Sequence, residues 1–332
     1  MKKFRFALIN ILTFFWISSL HAQIKEHFKE VDQIIWLVEN LDQTIKGWKE
    51  LGFDQIHDLG KVSAEFKSNK RIYTFRMAKA NLGGANVTWI QAGNGDNILT
   101  NFHQGYGDGA MSLVHKLPGK EALNDEIERL SNLGVEMHEE IAIHTDKGTL
   151  EFFIINTNEK GKYYLGYTYG NTDETLVENL SARNRHNMKI NQYAFAIRQP
   201  EPVSAFWASL GQPEFEINYP ELYNMHYYGE PTNHKLIQGW QRHGTISYEW
   251  CIPVKPPIVY EDHINTHGEG IHHLAFTVDD MDKVLVDYEL KGYVNSMGGT
   301  WGEEGKPGSG RYEYINLDNA GGLTMELLWN FK

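Results

Sequence analysis

The second half of this chain repeats the first half, which limits the fold to a duplicated unit. Three pairs of segments show the repeat at an offset close to 160 residues: Val31–Val38 with Ile190–Ile197, Gly107–Leu117 with Gly268–Val278, and Phe152–Thr168 with Glu313–Leu328. The first match continues without a gap, so that Trp48 aligns with Trp207. Three independent matches at nearly one offset indicate a duplication.

Each half divides again into two similar units. A unit opens with a short apolar strand, such as the strands at Met111 and Ile271, and continues into an amphipathic helix. Helices are predicted at 120–133 and 281–290, and further strands at 71–77, 86–91, 246–252 and 311–315. Asp318–Gly322 predicts a tight turn between the last two strands. The sequence therefore predicts an α+β fold of four β-α-β-β-β modules.

The N-terminus has the layout of a secretory signal peptide. Lys2, Lys3 and Arg5 precede an apolar run from Phe6 to Leu20, which small residues follow. The run is shorter than the roughly 20 residues that a membrane span needs. We therefore expect 1–22 to be a signal peptide, the protein to be exported (periplasmic or secreted), and no stable membrane insertion after cleavage.

Composition excludes several classes of protein. The chain has one cysteine, Cys251, which excludes internal disulfides and a lipid anchor at the cleavage point. A formal net charge of -12 without a basic cluster argues against nucleic-acid partners. Aromatic residues make up 13% of the chain. They suit a pocket for an apolar or sugar-like ligand, but they also fill cores, and composition does not separate the two.

Four segments resemble the vicinal oxygen chelate superfamily, which includes glyoxalase I, methylmalonyl-CoA epimerase, extradiol dioxygenases and bleomycin-resistance proteins. The resemblance covers essentially the whole chain after the leader and is strongest in residues 189–332. The segments are Asn191–Phe195, Tyr248–Pro253, Gly270–Phe276 and Gly321–Leu328. The resemblance implies two glyoxalase-like domains, each with a cupped mixed sheet built from two modules, and a divalent metal held inside a sheet.

The family's ligand positions fall on Gln192, Glu249, His273 and Glu326. An imidazole, two carboxylates and an amide oxygen suit a divalent metal, with Zn, Ni, Co, Mn and Fe all consistent. Both glutamates lie inside apolar strands, where burying an unpaired carboxylate is costly, and this favours a metal site over a structural role. Strand alternation predicts that His272 points to the opposite face from His273 and supports structure.

The equivalent positions in the first half are Gln33, Thr88, Ser112 and Gly166. An amide, two hydroxyls and a glycine do not make a set that holds a divalent metal. We therefore expect an N-terminal domain at 24–170 with a degenerate metal site, a linker at 171–188, and a C-terminal domain at 189–332 with the metal site.

The resemblance implies a metal-dependent lyase, isomerase or epimerase that removes a proton next to a carbonyl and stabilises the resulting enediolate on the metal. Glu249 and Glu326 are the candidate catalytic bases, and they come from different modules, so they can address opposite faces of one carbon. One alternative is an extradiol-type dioxygenase, which needs a histidine where this chain has Gln192. The other is a non-enzymatic binding protein of the bleomycin-resistance type.

The expected partner is a small carbonyl compound. Coenzyme A thioesters and glutathione adducts are mainly cytosolic, so an exported protein is better matched by a keto-acid, a keto-sugar or a sugar-derived product. A homodimer stays open as the oligomeric state, and no nucleic acid is expected.

Overall fold

The computed structural model describes residues 24–145, 147–170 and 180–331. The predicted signal peptide at 1–22 and the first part of the predicted linker lie outside the described residues. Residues 180–188 contain a turn but no helix or strand. None of the described helices combines the length and the apolar character that crossing a membrane requires.

The first half begins with a 3-10 helix at Glu26–Lys29 and then alternates strands and helices. Its strands are β1 (Gln33–Val38), β2 (Ile56–Phe66), β3 (Arg71–Leu82), β4 (Ala85–Gln91), β5 (Gly109–Leu117), β6 (Met137–Thr145), β7 (Gly148–Ile155) and β8 (Tyr164–Tyr169). Its helices are α1 (Leu41–Glu50), α2 (Ile98–Tyr106), α3 (Lys120–Asn132) and the short α4 (Asn158–Gly161).

The second half has the same order with one added hairpin. Its strands are β9 (Lys189–Ala196), β10 (Glu216–Asn218), β11 (Leu222–Tyr227), β12 (Glu230–Pro231), β13 (Lys235–Gln241), β14 (Ser247–Lys255), β15 (Gly270–Thr277), β16 (Asn295–Trp301), β17 (Gly310–Asn316) and β18 (Thr324–Asn330). Its helices are α5 (Pro200–Ser209), α6 (Val259–His267) and α7 (Met281–Leu290), and a 3-10 helix lies at Asp318–Ala320.

Local sequence signals account for the positions of the helices. The side chain of Asn40 caps α1 by accepting a hydrogen bond from the backbone N–H of Gln43, and Asp280 caps α7 in the same way. Pro200 occupies the first turn of α5, where its missing N–H costs nothing. The predicted helices at 120–133 and 281–290 agree with α3 and α7 to within one residue. The predicted turn at Asp318–Gly322 contains the second 3-10 helix.

The predicted α+β class and the cupped sheets are confirmed, but the two sheets differ. The first half forms a closed barrel in the order β1-β4-β3-β2-β6-β7-β8-β5. The second half forms an open ten-stranded sheet in the order β10-β13-β14-β9-β15-β18-β17-β16-β11-β12. In each half the first strands of the two modules, β1 with β5 and β9 with β15, pair antiparallel and join the two modules into one sheet.

The opening of the second sheet comes from a split strand. In the first half the continuous β2 pairs with β3 on one side and with β6 on the other, and this closes the barrel. In the second half β10 pairs with β13, and β11 pairs with β16. Tyr219, Pro220 and Glu221 join these two edges. Proline has no N–H to donate to a ladder, so Pro220 favours the break.

Apolar side chains fill the interior of the barrel in the first half. The inward residues of its strands, such as Ile35, Met77, Val114 and Phe152, form one buried apolar cluster. A second and larger cluster lies outside the barrel, between the sheets and the helices of both halves, and includes Trp89. Because this outer core is continuous across the two halves, they pack against each other as one body.

Two tryptophans that align in the repeat make reciprocal hydrogen bonds between the halves. The indole N–H of Trp48 in α1 donates to the carbonyl of Ala320 at 2.9 Å, and that of Trp207 in α5 donates to the carbonyl of Gly161 at 3.0 Å. Gly161 must be small, since a Cβ there would lie 2.5 Å from the Trp207 ring. Each half thus inserts a helix against the last β–β connection of the other.

Candidate metal centre

Strand register brings the four predicted ligands to one face of the open sheet. Gln192, Glu249, His273 and Glu326 lie on β9, β14, β15 and β18, which are adjacent in the sheet. Ala194 is paired with both Glu249 and His273. Similarly, Ala275 pairs with both Gln192 and Glu326. Residues paired across strands share a face, so all four side chains project into the concave side around two small alanines.

The four polar ends converge at the floor of this concave side. His273 Nε2 lies 3.2 Å from Glu326 Oε2 and 3.7 Å from Glu249 Oε2. The amide oxygen of Gln192 lies 3.0 Å from Glu249 Oε2 and 3.1 Å from Glu326 Oε2. All four side chains are buried. Among the described residues, Glu249, His273 and Glu326 form a group whose ligand atoms lie within 4.8 Å of one another.

This arrangement fits a divalent cation. Two carboxylates and an imidazole that are buried together are costly unless a proton or a cation lies among them, and a divalent cation would satisfy all three. Turning the amide of Gln192 would let its NH₂ group donate to both carboxylates instead, which is the arrangement expected without a cation. Three oxygens and one imidazole nitrogen suit the divalent metals predicted from the sequence. That these residues are ligands stays a prediction.

The prediction that His272 faces away from His273 is wrong, because β15 contains a bulge. The ladder between β15 and β9 shifts register between Ile271 and His273, so His272 is the extra residue. Its Nδ1 lies 2.7 Å from Nδ1 of His273, and its ring contacts Tyr260. A bulge breaks the alternation that the sequence argument assumed, and both imidazoles lie on the concave side.

This contact orients the imidazole of His273. One of the two Nδ1 atoms must donate to the other. When His273 offers Nε2 to a cation, its Nδ1 carries the proton and His272 accepts it, which fixes the tautomer of His273. His272 is therefore a positioning residue and not a second ligand.

Burial and charge shift the pKa values at the site. Burial lowers the pKa of His273, but its hydrogen bonds and attraction to Glu249 and Glu326 outweigh burial and raise the pKa to about 9. Burial and the charge of Glu249 raise the pKa of Glu326, although the contact with His273 opposes them. Without a cation, a proton on His273 thus offsets part of the negative charge of the two glutamates.

Residues that sequence reasoning missed form a layer around the ligands. Gln238 on β13 donates to Glu249 Oε1 at 2.6 Å and holds that carboxylate in place. Beneath the site, the hydroxyls of Tyr260 and Tyr314 lie 2.5 Å apart. Gln238 is opposite Cys251 in the ladder, and only knowledge of that pairing could have placed it near Glu249. Cys251 itself is buried in the apolar cluster under the site, and burial raises its pKa.

A cavity of about 700 Å³ opens above the candidate ligands. Gln192, Glu249 and Glu326 line its floor, and Tyr219, Pro220 and Glu221 of the split strand line its mouth. A larger groove of about 1200 Å³ lies around the 3-10 helix at Glu26–Lys29, but it contains none of the candidate ligands. The smaller cavity is therefore the one that gives access to the site.

The four equivalent residues of the first half have the same positions in the strand pairing, but they do not form an open site. The hydroxyl of Thr88 donates to the amide oxygen of Gln33 at 2.6 Å. Ser112 is paired with Ile35, as His273 is paired with Ala194. At Gly166 a Cβ would lie 2.7 Å from the Ser112 hydroxyl and 2.8 Å from a methyl group of Val114, so neighbouring side chains leave no space for a fourth ligand.

The comparisons with known proteins agree with the fold. Residues 191–309 match the model of the glyoxalase/bleomycin resistance protein/dioxygenase superfamily. A mutant of 4-hydroxymandelate synthase from Streptomyces coelicolor is 12% identical over 92% of this chain and 94% of that chain, with a TM-score of 0.60. The Mn(II)-bound glyoxalase from Novosphingobium aromaticivorans is 14% identical over 92% of this chain and 83% of that chain, with a TM-score of 0.50.

These findings confirm the resemblance to the vicinal oxygen chelate superfamily. No curated protein matches the sequence. At such low identities the two solved structures establish the fold alone, and the chemistry of this chain has to be argued from its own residues.

Proposed function

We propose that the C-terminal domain is a metal-dependent lyase, isomerase or epimerase that moves a proton on the carbon next to a substrate carbonyl. The observation that carries the proposal is the convergence of Glu249, His273 and Glu326, of which the two glutamates line the floor of an accessible cavity. A divalent cation held there with the help of Gln192 would stabilise the negative charge that the carbonyl oxygen gains when its neighbouring carbon loses a proton.

The two glutamates have distinct supports. Gln238 fixes one oxygen of Glu249, which leaves Oε2 directed at the site. Because Gln238 already holds one oxygen of Glu249, Glu326 is the freer of the two carboxylates, and we assign the proton transfer to Glu326.

The arrangement of the imidazoles disfavours a ring-cleaving dioxygenase. Such an enzyme needs two histidines and one carboxylate around iron. His273 is the one histidine in the ligand group of the described residues, and His272 is turned toward His273 Nδ1. Gln192 stands at the other histidine position. Oxygen uptake with catechols on iron-loaded protein measures this alternative directly, and uptake at enzymatic rates would replace the proposal.

The test combines metal analysis with solvent exchange. The purified protein should carry close to one divalent metal per chain, and the metal-loaded protein should exchange substrate C–H for deuterium from solvent. His273→Ala should lose the metal, whereas Glu326→Gln should keep a carbonyl ligand atom but lose exchange. Ser112→Ala changes the equivalent position of the first half and serves as the matched control. Bound metal without exchange on any carbonyl compound would reject proton transfer.

A binding protein of the bleomycin-resistance type makes a different prediction. The affinity of such a binding protein for its ligand would not depend on the four candidate metal ligands. Ligand binding that is unchanged in a His273→Ala/Glu326→Ala double variant would favour this alternative over an enzyme.

We also propose that the protein acts after export. The support is the positively charged start and the apolar run from Phe6 to Leu20. N-terminal sequencing of the protein from its native cells should find a mature chain that begins near Gln23. A retained Met1 would refute export by this signal.

A further inference from the structure

The described lining of the cavity above the candidate metal centre is acidic, aromatic and amide-rich. Among the described residues that line it, none is lysine, arginine or histidine, whereas Glu221, Glu249 and Glu326 are acidic. A divalent cation would offset the two glutamates on the floor, but Glu221 stays at the mouth as a negative charge. A carboxylate or phosphate away from the reacting carbonyl would therefore meet no opposite charge among the described residues that line the cavity.

The arginine that comes near this wall is already engaged. Arg242 stacks on Trp240, with its guanidinium carbon 4.6 Å from the ring centroid, and forms an ion pair with Glu216 at 2.8 Å. Arg242 does not line the cavity; it covers Trp240. Its charge consequently supports the aromatic wall and does not select an anion.

Aromatic rings line the walls of the cavity. Trp240 and Trp301 lie on different strands, and Tyr219 and Tyr312 add further ring surface. The indole N–H of Trp301 donates to the carbonyl of Gly308 at 2.9 Å, which fixes the ring. Rings held in this way present apolar faces to the C–H groups of a ligand without a loss of side-chain freedom on binding.

Amide side chains fill the spaces between the rings. Asn218 donates to Gln238, which in turn donates to Glu249, so a hydrogen-bonded chain leads from the mouth to the floor. Asn191 and Asn330 also line the cavity. Each amide both donates and accepts, which is the pairing that hydroxyl groups require.

We infer that the cavity selects an uncharged, polyhydroxylated carbonyl compound, such as a keto-sugar or an oxidised glycoside, and disfavours anionic substrates. The inference rests on the proposed proton transfer for the carbonyl and on the wall residues for the rest of the ligand. Rings match the apolar faces of a sugar and amides match its hydroxyls, whereas the described lining offers no basic side chain to a phosphate or to a carboxylate away from the carbonyl. Of the substrates expected from the sequence, it favours keto-sugars over keto-acids whose carboxylate lies away from the carbonyl.

Binding to metal-loaded protein tests the inference without requiring turnover. The probes are fructose and a methyl 3-keto-glucoside as neutral ligands, fructose 6-phosphate and 5-ketogluconate as anionic counterparts whose charge lies away from the ketone, and fructosamine as a cationic one. Calorimetry or ligand-observed NMR should show the neutral compounds binding at least tenfold more tightly than their anionic counterparts. Preference for an anion or for fructosamine, or no binding of either neutral compound, would overturn the inference.

Variants locate the selectivity in the cavity wall. Trp240→Ala and Trp301→Ala should each weaken neutral ligands by tenfold or more while metal content stays the same. Tyr228→Ala removes an exposed aromatic side chain outside the cavity. It should change neither the affinity for neutral ligands nor the metal content. Glu221→Lys places a cation at the exposed mouth and should raise the relative affinity of the anionic counterparts by about tenfold. Unchanged binding in both tryptophan variants would also overturn the inference.

The two proposals fail in different ways. Neutral sugars that bind but show no deuterium exchange would leave the ligand class in place and reject the chemistry. Exchange on keto-acids alone would leave the chemistry in place and reject the ligand class.

Discussion

Removing the metal should make the stability of the protein depend strongly on pH through His273. In the metal-free protein the two neighbouring glutamates raise its pKa to about 9, against an ordinary value of 6.5. A raised folded-state pKa means that the proton stabilises the fold. This stabilisation is complete below pH 6.5 and is lost as the pH rises through 9. His273 is fully buried, so solvent does not screen the effect.

The size of the effect follows from the shift. At about 1.4 kcal/mol per pH unit, a shift of this size corresponds to about 3 kcal/mol of folding free energy lost between pH 6.5 and 9.5. A metal must displace the same proton, so the metal affinity should rise about tenfold per pH unit up to pH 9. Saturating metal should also remove most of the pH dependence of stability.

Urea unfolding followed by tryptophan fluorescence, in the presence of a chelator, measures the free energy of unfolding across this range. His273→Gln is the matched variant, because its amide does not titrate. The pH dependence of its free energy of unfolding therefore reports all the other titrating groups. The difference between the two proteins should shrink toward high pH. The free energy of unfolding of the wild type in chelator should fall from pH 6.5 to 9.5. If it does not change, or if it falls equally in His273→Gln, the assignment of this proton to His273 is wrong.

Three further predictions concern the first half and the contact between the halves. Gly166→Ala should destabilise the protein by about 1–3 kcal/mol, because the added Cβ would lie 2.7 Å from the Ser112 hydroxyl. Gly105→Ala is the control. It adds a Cβ in open space on α2 and should be neutral or stabilising. Equal melting temperatures for these two variants would refute the packing argument. Ser112→Ala should be neutral or stabilising in the same melts, since the buried hydroxyl has no hydrogen-bond partner among the described residues; a loss above about 1 kcal/mol would contradict it. Trp207→Phe should cost about 1–3 kcal/mol in urea unfolding, because the carbonyl of Gly161 loses its donor, and no cost would mean that solvent replaces the bond.

The sequence predicted the modules because they depend on local patterns. The bounds of α3 and α7 follow from apolar periodicity and from a cap such as Asp280. The four candidate ligands came from the resemblance to the vicinal oxygen chelate superfamily, and the repeat supplied only their equivalents in the first half. The structure then brings these four side chains together.

Features that depend on strand pairing escaped prediction. The bulge at His272 is a property of two strands, and alternation along one strand points the side chain to the wrong face. The first half has the same shift opposite Ile35, where Met111 occupies the place of His272. The repeat therefore contained the bulge in both copies, but no residue type marks it. The β11–β12 hairpin and the contact between Gln238 and Glu249 were missed for the same reason.

The closed first half contributes to the site in the second half through the connection that precedes β18. The indole N–H of Trp36 donates to the carbonyl of Gly321 at 2.7 Å, and that of Trp48 donates to Ala320. A Cβ on Gly47 would lie 2.7 Å from Ala320, so α1 packs directly on this connection. Glu326 follows a few residues later on β18. A displacement of about 1 Å at a reacting group costs much of its effect on the rate. By holding the connection before β18, Trp36 and Trp48 keep the proposed base, Glu326, in position. The first half, which has no equivalent ligand set among the described residues, thus supports the connection that leads to the candidate base.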